Sequence, residues 1–389
     1  MRTDIVPAEL DLEFEEILER ALAGEELTVK EGERLLWAGG PELRALVAVA
    51  DEVRRRAVGD IVTYVINRNL NFTNICMGSC KFCAFRRSSN APDAYVLTSK
   101  QIQGKVREAL KFGATEICIQ GGLHPNFGLD EYVNILQAVR SISPNIHIHA
   151  FSPAELNHIT EQDGLSIEKV IETLQGAGLN SVPGTAAEIL VDRVRNIICP
   201  KKISACRWID IVKKCHGLGL PTTATMLYGH IETPYEQAKH LAMIRDIQRE
   251  TKGFTEFVPL GFMPRNTQLE REGIVRNSPS LAHGLRIHAV ARLMLADYVN
   301  NVQASWVKLG PSGAQLMLNA GANDLSGTLM EENISRAAGG DRQAMLPKQL
   351  EGLIRDLGRI PRQRTTTYDI ISDHRRIANI SRASPTLVA

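Results

Sequence analysis

The sequence predicts an α/β chain folded as a (β/α)8 barrel of the TIM type, preceded by a helical extension and followed by a short C-terminal one. Three observations carry that prediction. Strand-like and helix-like segments alternate from residue 61 to residue 319, the pattern of a parallel sheet with crossover helices. The 389 residues, 44% of them hydrophobic, suffice for one large barrel with additions. Polar and glycine-rich clusters fall just after the strand-like runs, where barrels of this kind carry their chemistry.

Residues 1–55 read as a helical cap. Leu10, Phe14, Ile17, Leu18 and Leu22 recur at helical spacing, and Leu35, Leu43, Val47 and Val49 suggest further short helices broken at Gly39-Gly40-Pro41. Residues 56–345 hold the barrel. Its strand candidates are Ile61–Phe72, Glu116–Gln120, Ile146–Phe151, Leu179–Val182, Thr222–Leu227, Glu256–Leu260, Asn301–Trp306 and Gln315–Asn319. Between them run amphipathic stripes: Ile102, Val106, Ala109; Tyr132, Val133, Leu136, Val139; Ile167, Val170, Ile171, Leu174; and Ile211, Val212, Cys215. Thr233-Pro234 supplies an N-cap and a first-turn proline for another helix carrying Ala238, Leu241 and Ile244. Residues 346–389 form the C-terminal extension and tail. The stretch from Arg359 to Tyr368 is basic and threonine-rich, and the end from His374 lacks apolar periodicity.

Composition excludes several classes. Forty-five Lys and Arg against forty-four Asp and Glu give a formal charge of +1, which is no electrostatic footprint for nucleic acid. No apolar run nears the ~18 residues a membrane helix needs, and the N-terminus lacks a signal-peptide core. A cytoplasmic protein is expected. Seven cysteines in a chain this long do not make a disulfide scaffold. Cys118, Cys199, Cys206 and Cys215 are scattered and read as buried or incidental residues.

The other three cysteines stand together. Cys76, Cys80 and Cys83 have the spacing C-x3-C-x2-C in the loop after the first strand candidate, with no fourth cysteine near. Thiolates are soft ligands that favour iron–sulfur clusters and zinc. Structural zinc sites and ordinary clusters use four protein ligands. Three thiolates on a 4Fe–4S cluster would leave one iron open to a ligand that is not protein. The competing reading is a zinc-binding module, completed by a histidine.

The remaining strand ends carry polar residues that would converge on one rim. Gln120-Gly121-Gly122-Leu123-His124-Pro125 follows the second, its glycines allowing close backbone approach. Ser152-Pro153-Ala154-Glu155 follows the third and Pro183-Gly184-Thr185-Ala186-Ala187-Glu188 the fourth. Tyr228-Gly229-His230-Ile231-Glu232-Thr233 follows the fifth, Phe262-Met263-Pro264 the sixth, and Ser305-Trp306-Val307-Lys308 the seventh. Asn323-Asp324 and then Glu331-Glu332-Asn333 come after the eighth. Glu188 and Glu232 also lie near helix starts, where acids are favoured whatever the function. Asn323-Asp324 is equally plain turn chemistry. His147 and His149 alternate on a strand and read as structural.

The cysteine triplet resembles that of the radical S-adenosylmethionine (SAM) enzymes. The resemblance extends to Asn69-Leu70-Asn71-Phe72-Thr73-Asn74, to Ala84-Phe85, to the Gly121, Pro183 and Gly229 segments, and covers roughly residues 45 to 370. It points to the branch containing both halves of deazaflavin (FO) synthase and two menaquinone enzymes, aminofutalosine synthase and dehypoxanthine futalosine cyclase. Gln303 to Gly310, Asn319 to Ala338 and Pro361 to Thr367 are most similar to the FO synthase subunit 2 family. A six-strand partial barrel, common among radical SAM proteins, is the alternative architecture.

The resemblance implies a 4Fe–4S cluster on Cys76, Cys80 and Cys83, with SAM bound near Phe82, Gln120, Gly121, Gly122, Glu155 and Glu188. Here Leu123 stands where the family's glycine-rich segment usually has an acid. Catalytic roles are expected for His124, His230 and Glu232, and substrate binding for Trp306, Asn323, Asp324 and Glu332. The implied substrates are L-tyrosine and 5-amino-6-(D-ribitylamino)uracil, with 2-iminoacetate released. A separate FO synthase subunit 1 would act as functional partner, and an electron donor is required. With one cysteine triplet, the chain has room for one barrel only.

Overall fold

The computed structural model describes residues 10–371, so the expectation for the tail from His374 falls outside the described residues. Helices α1 (Leu12–Leu22), α2 (Val29–Leu36) and α3 (Gly40–Val58) come first. Thr28 and Glu31 close a capping box on α2. The Gly39-Gly40-Pro41 break is the start of α3, with proline in its first turn. Helix α2 packs on the helix Pro234–Thr251 and α3 on the helix Leu281–Met294, so the cap covers the barrel's outer helices.

Eight parallel teeth close a ring. Strands β1 (Ile61–Val65) and β2 (Asn67–Leu70) are two halves of the first tooth, broken at Ile66. Next come β3 (Glu116–Ile119), β4 (His147–Ala150), β5 (Thr222–Tyr228), β6 (Phe254–Gly261) and β7 (Asp324–Gly327). Two further teeth are single bridging pairs. Ser181 and Val182 join β4 to β5, while Val302 and Gln303 join β6 to β7. Strand β7 returns to β1 with Thr63 opposite Asp324, and the circle is complete. The stripes read from the sequence point inward from the surrounding helices: Val106, Ala109, Leu136, Val139, Val170, Leu174, Val212, Leu241 and Ile244 are all buried. Each full burial of a large one contributes about 1.5–3 kcal/mol.

The last tooth differs from expectation. Residues Gln315–Asn319 lie at the end of the helix Trp306–Leu318, which Gly310-Pro311 kinks, and the strand comes later, at Asp324–Gly327. Trp306 likewise begins that helix rather than ending a strand. A short apolar run such as Leu316-Met317-Leu318 suits either structure, and length alone misassigns it.

A further strand outside the ring, β8 (Ile360–Gln363), pairs with β1 in parallel, Ile61 opposite Ile360 through Tyr64 opposite Gln363. It occupies the side of the first tooth that β3 occupies higher up, where β2 pairs β3. The residues after β8 then cross the barrel floor. Arg364 forks onto Asp324 and lies 3.5 Å from Glu256, Thr366 donates to Glu116 at 2.7 Å, and the Tyr368 hydroxyl donates to Glu256. All are buried apart from Tyr368, which is exposed only in part. This polar plug shuts the N-terminal end, leaving the C-terminal end open. Among the described residues, no helix is long and apolar enough to cross a membrane.

Candidate active site

At the open end lies a cavity of about 430 Å3, within the range of small-molecule sites. One wall is the loop after β2, which backbone hydrogen bonds pin in place. Cys76 N donates to Arg87 O at 3.0 Å, Met77 N to Leu123 O at 2.9 Å, Lys81 N to Ile198 O at 2.7 Å, and Cys83 N to Cys80 O at 3.1 Å. Thr73 and Asn74 staple the loop to its own return through Tyr95 O and Asp93 O. Cys76, Cys80 and Cys83 all line the cavity.

The two glycines after β3 let that strand end touch the loop. A Cβ on Gly122 would sit 2.2 Å from Ile75 O, and one on Gly121 would sit 2.5 Å from the Phe72 ring. Phe72 in turn is boxed by Phe127, Tyr132 and Phe151. Beyond the glycines, Leu123 N donates to Cys76 Sγ at 3.3 Å, as does Gly78 N. Burial pushes the Cys76 thiol up, and takes Cys80 to about 12 against the opposing charge of Lys202. Metal ligation deprotonates such thiols, so a bound cluster reverses this preference.

Behind the cysteines lies a charged group. Lys202 Nζ meets Glu188 Oε1 at 2.8 Å and stands over the Phe82 ring at 5.4 Å; Arg195 approaches the other Glu188 oxygen at 3.5 Å. Glu155 is the third residue of the helix Pro153–Asp163. It closes a capping box with Ser152 and accepts from Gly121 N at 3.1 Å. Burial takes its carboxyl up to about 7, with the Ser152 and Gly121 hydrogen bonds opposing. Phe82, Gln120, Gly121, Gly122, Glu155 and Glu188 all border the cavity with the three cysteines.

The opposite wall is built from Asn69, Gln303, Ser305, Lys308, Glu332 and Ser335, with Met263, Val307, Leu329 and Ile334 between them. Two cavity-lining polar atoms, Asn71 Oδ1 and Thr185 Oγ1, are buried without a hydrogen-bond partner. Of the residues expected to bind substrate, only Glu332 is here.

The structure moves the other expected residues off the cavity. Asp324 is the first residue of β7, at the floor, and is committed to Arg364, to Thr63 Oγ1 at 2.6 Å and to Ser326 N at 2.6 Å. Asn323 bonds Arg292, Val302 N and Asn301, stapling neighbouring teeth. A strand at Gln315–Asn319 would put both on the rim; the strand runs from Asp324 to Gly327 instead and leaves them at its N-terminal end. Trp306 is buried and donates to Gly327 O at 3.0 Å, bracing the end of β7, while its neighbours Ser305, Val307 and Lys308 face the cavity. His124 packs on Phe127 and accepts from Asn126 N, a turn-stabilising role outside the cavity lining. His230 and Glu232 form a buried pair 2.9 Å apart that fixes the turn after β5. Burial would raise the Glu232 carboxyl, but hydrogen bonds from His230 and from Gly229 N outweigh it and hold it at about 2.

Lys202, Lys308, Ser335 and Gln303 line the cavity without having been assigned a role from sequence. Lys202 lies in the Cys199-Pro200-Lys201-Lys202 loop, which carries no periodic or spacing signal. Lys308 belongs to a stretch recognised for similarity, and its position two residues after Trp306 was the available clue.

Comparison with known proteins agrees with this geometry. The model of the radical SAM superfamily matches residues 70–244, and the model described as CofH/MqnC C-terminal region matches residues 251–377. A 5-amino-6-(D-ribitylamino)uracil–L-tyrosine 4-hydroxyphenyl transferase of Methanococcoides burtonii is 50% identical over 91% of this chain and 98% of its own. The enzyme of that name from Archaeoglobus fulgidus is 50% identical over 83% of this chain and 92% of its own. Among solved structures, methylornithine synthase superposes with a TM-score of 0.71 at 19% identity, covering 93% of this chain and 99% of that one. The hydrogenase maturase HydG of Carboxydothermus hydrogenoformans gives 0.72 at 18%, covering 92% and 80%. These two likenesses concern the fold alone.

Proposed function

This chain belongs to the radical SAM superfamily and, within it, to the family of 5-amino-6-(D-ribitylamino)uracil–L-tyrosine 4-hydroxyphenyl transferases, and on that premise we propose that it joins the 4-hydroxybenzyl group of L-tyrosine to 5-amino-6-(D-ribitylamino)uracil. In this reading 2-iminoacetate is released and the product goes on to the deazaflavin FO. The observation that carries the reading is a cavity in which a cysteine wall faces a polar wall.

The donor set fits a 4Fe–4S cluster with SAM. Three thiols from one pinned loop open onto the same space. The unpartnered Asn71 Oδ1 and Thr185 Oγ1 are suited to a polar ligand beside that loop. Cluster and SAM together would supply the reactive radical, chemistry that belongs to the cofactor rather than to side chains.

The protein's own contribution is position and exclusion. Cys76, Cys80 and Cys83 would hold the irons, and Phe82, Gln120, Gly121, Gly122, Glu155 and Glu188 would border SAM. Leu227, Leu260, Phe262, Val307 and Leu329 line the cavity with apolar surface, keeping water and stray hydrogen donors from a reactive intermediate. Asn69, Gln303 and Glu332 offer hydrogen bonds to the ribityl and uracil groups or to the amino acid. A separate subunit 1 would complete the deazaflavin ring, and a low-potential electron donor would start each turnover. The seven unpaired cysteines suit a reducing cytoplasm.

The test is direct. Reconstituted anaerobically, the protein should be brown with about four irons per chain, as a 4Fe–4S cluster requires. With SAM, reductant, tyrosine and the diaminouracil, it should form a tyrosine-derived adduct alongside 5′-deoxyadenosine. Cys80→Ala should lose both colour and turnover. No adduct, together with turnover of a futalosine-pathway substrate, would move the assignment to aminofutalosine synthase or dehypoxanthine futalosine cyclase.

A further inference from the structure

Two opposite charges stand on the polar wall without meeting each other. Lys308, near the start of the helix Trp306–Leu318, lines the cavity and is half-buried. Its Nζ donates to Ser335 Oγ at 2.7 Å and lies 3.6 Å from the Met263 thioether, a weak acceptor. An ammonium has three protons to donate, so at least one lacks a protein acceptor. Burial draws this amine's pKa down while Glu332 nearby draws it up.

Glu332 also lines the cavity. One of its oxygens accepts from Asn69 Nδ2, and the other from Ser335 N at 2.8 Å. A carboxylate has about four lone-pair sites, so acceptor capacity remains on each oxygen. Ser335 is thus the common neighbour, its hydroxyl serving Lys308 and its amide serving Glu332. Among the described residues no ion pair joins the lysine to the glutamate. A half-buried cation beside a buried anion, each with hydrogen-bonding capacity to spare and not paired with the other, suits a ligand that carries both opposite charges. An α-amino acid brings the complement, an ammonium and a carboxylate on one carbon.

We infer that Lys308 and Glu332 receive the backbone end of the amino-acid substrate, Lys308 taking its α-carboxylate and Glu332 its α-ammonium. This rests on the reading of tyrosine as substrate and adds the groups that hold it. The neighbouring Met263, Val307 and Ile334 then offer apolar contact to the ring. Neither charge has a counterpart on the uracil base, so the pair discriminates between the two substrates.

The experiment uses the reconstituted holoenzyme and two competitors of tyrosine in adduct formation. Tyramine lacks the carboxylate, and 3-(4-hydroxyphenyl)propionate lacks the amine. Lys308→Met should raise the tyrosine KM and the propionate's inhibition constant about 10- to 100-fold, the usual range for a lost charged hydrogen bond. Tyramine's constant should stay unchanged, and Lys308→Arg should recover part of the loss. Glu332→Gln should do the converse, weakening tyrosine and tyramine but not the propionate. KM for the diaminouracil should not move in either variant.

A purely structural role would shift all three ligands alike, or none, and either result overturns the inference. Iron content and melting temperature report whether each variant is folded. If Lys308→Met does not fold, the tyramine-against-propionate split in Glu332→Gln decides alone. Wild-type holoenzyme that neither binds tyrosine nor cleaves SAM in its presence would sink the proposed function and this inference together. Normal tyrosine turnover without the split sinks only the inference.

Discussion

One methyl group at Gly122 tests the placement of the whole cysteine loop. An added Cβ there would lie 2.2 Å from Ile75 O, 2.7 Å from Ile75 C and 2.8 Å from Cys76 Cβ. Ordinary contact begins at 3.4 Å, so the strand end and the loop must part by about 1.2 Å, the difference between 3.4 Å and 2.2 Å. Both sides are backbone, and neither can swing away. Gly122 N is tied to Thr73 O at 3.0 Å and Met77 N to Leu123 O at 2.9 Å, so the strain passes directly to Cys76. Overpacking of this kind costs about 1–3 kcal/mol, which a domain of this size survives. Misplacing reacting groups by 1 Å costs on the order of 100-fold in rate. Gly122→Ala should therefore fold, melt a few degrees lower, bind less than the full iron complement and lose about 100-fold in tyrosine-dependent SAM cleavage. Gly104→Ala is the control. It lies in the helix Ser99–Lys111 with nothing within 4 Å of the added Cβ, and should gain up to about 1 kcal/mol with activity unchanged. A Gly122→Ala protein carrying full iron and turning over at the wild-type rate would refute the argument.

Two further predictions concern the fold beneath the site. Arg364→Met leaves Asp324 and Glu256 buried without their cation and should cost about 3–5 kcal/mol, seen as a large fall in melting temperature. The tyrosine KM of the surviving protein should not change; a raised KM at unchanged stability would return Asp324 to the binding site. His240 is fully buried and its Nδ1 accepts from Leu190 N at 3.1 Å. Burial takes its pKa down to about 3. Below pH 6.5 the unfolded chain therefore binds a proton that the folded one refuses, and stability falls with pH, by about 2.5 kcal/mol at pH 4.5. In cluster-free protein, the urea stability of wild type relative to His240→Gln should drop by that amount between pH 7 and 4.5; parallel pH profiles would count against it.

The barrel was legible because helical stripes are long and repetitive. Val106, Leu136, Val170 and Leu241 were placed on buried faces by spacing alone. Strand positions were legible where β-branched residues recur, as in β3 and β5. The last tooth was not, because Asp324–Gly327 is short and opens with a charged residue whose burial depends on Arg364 from the far end of the chain. No local pattern can announce a partner 40 residues away. That error carried Asn323 and Asp324 to the wrong end of the barrel. The cysteine wall was readable from thiol spacing. The polar wall was not, because Asn69, Gln303, Lys308 and Ser335 meet only through ring closure, each unremarkable in its own segment.

Strand β8 lies against β1 across about 300 residues of intervening chain. A polypeptide leaves the ribosome from its N-terminus, so the first tooth waits until β8 has been made before its lower half is paired. Until then the floor carboxylates Asp324, Glu256 and Glu116 lack Arg364, Thr366 and Tyr368. The barrel floor is sealed late, only once residues 360–368 have been made.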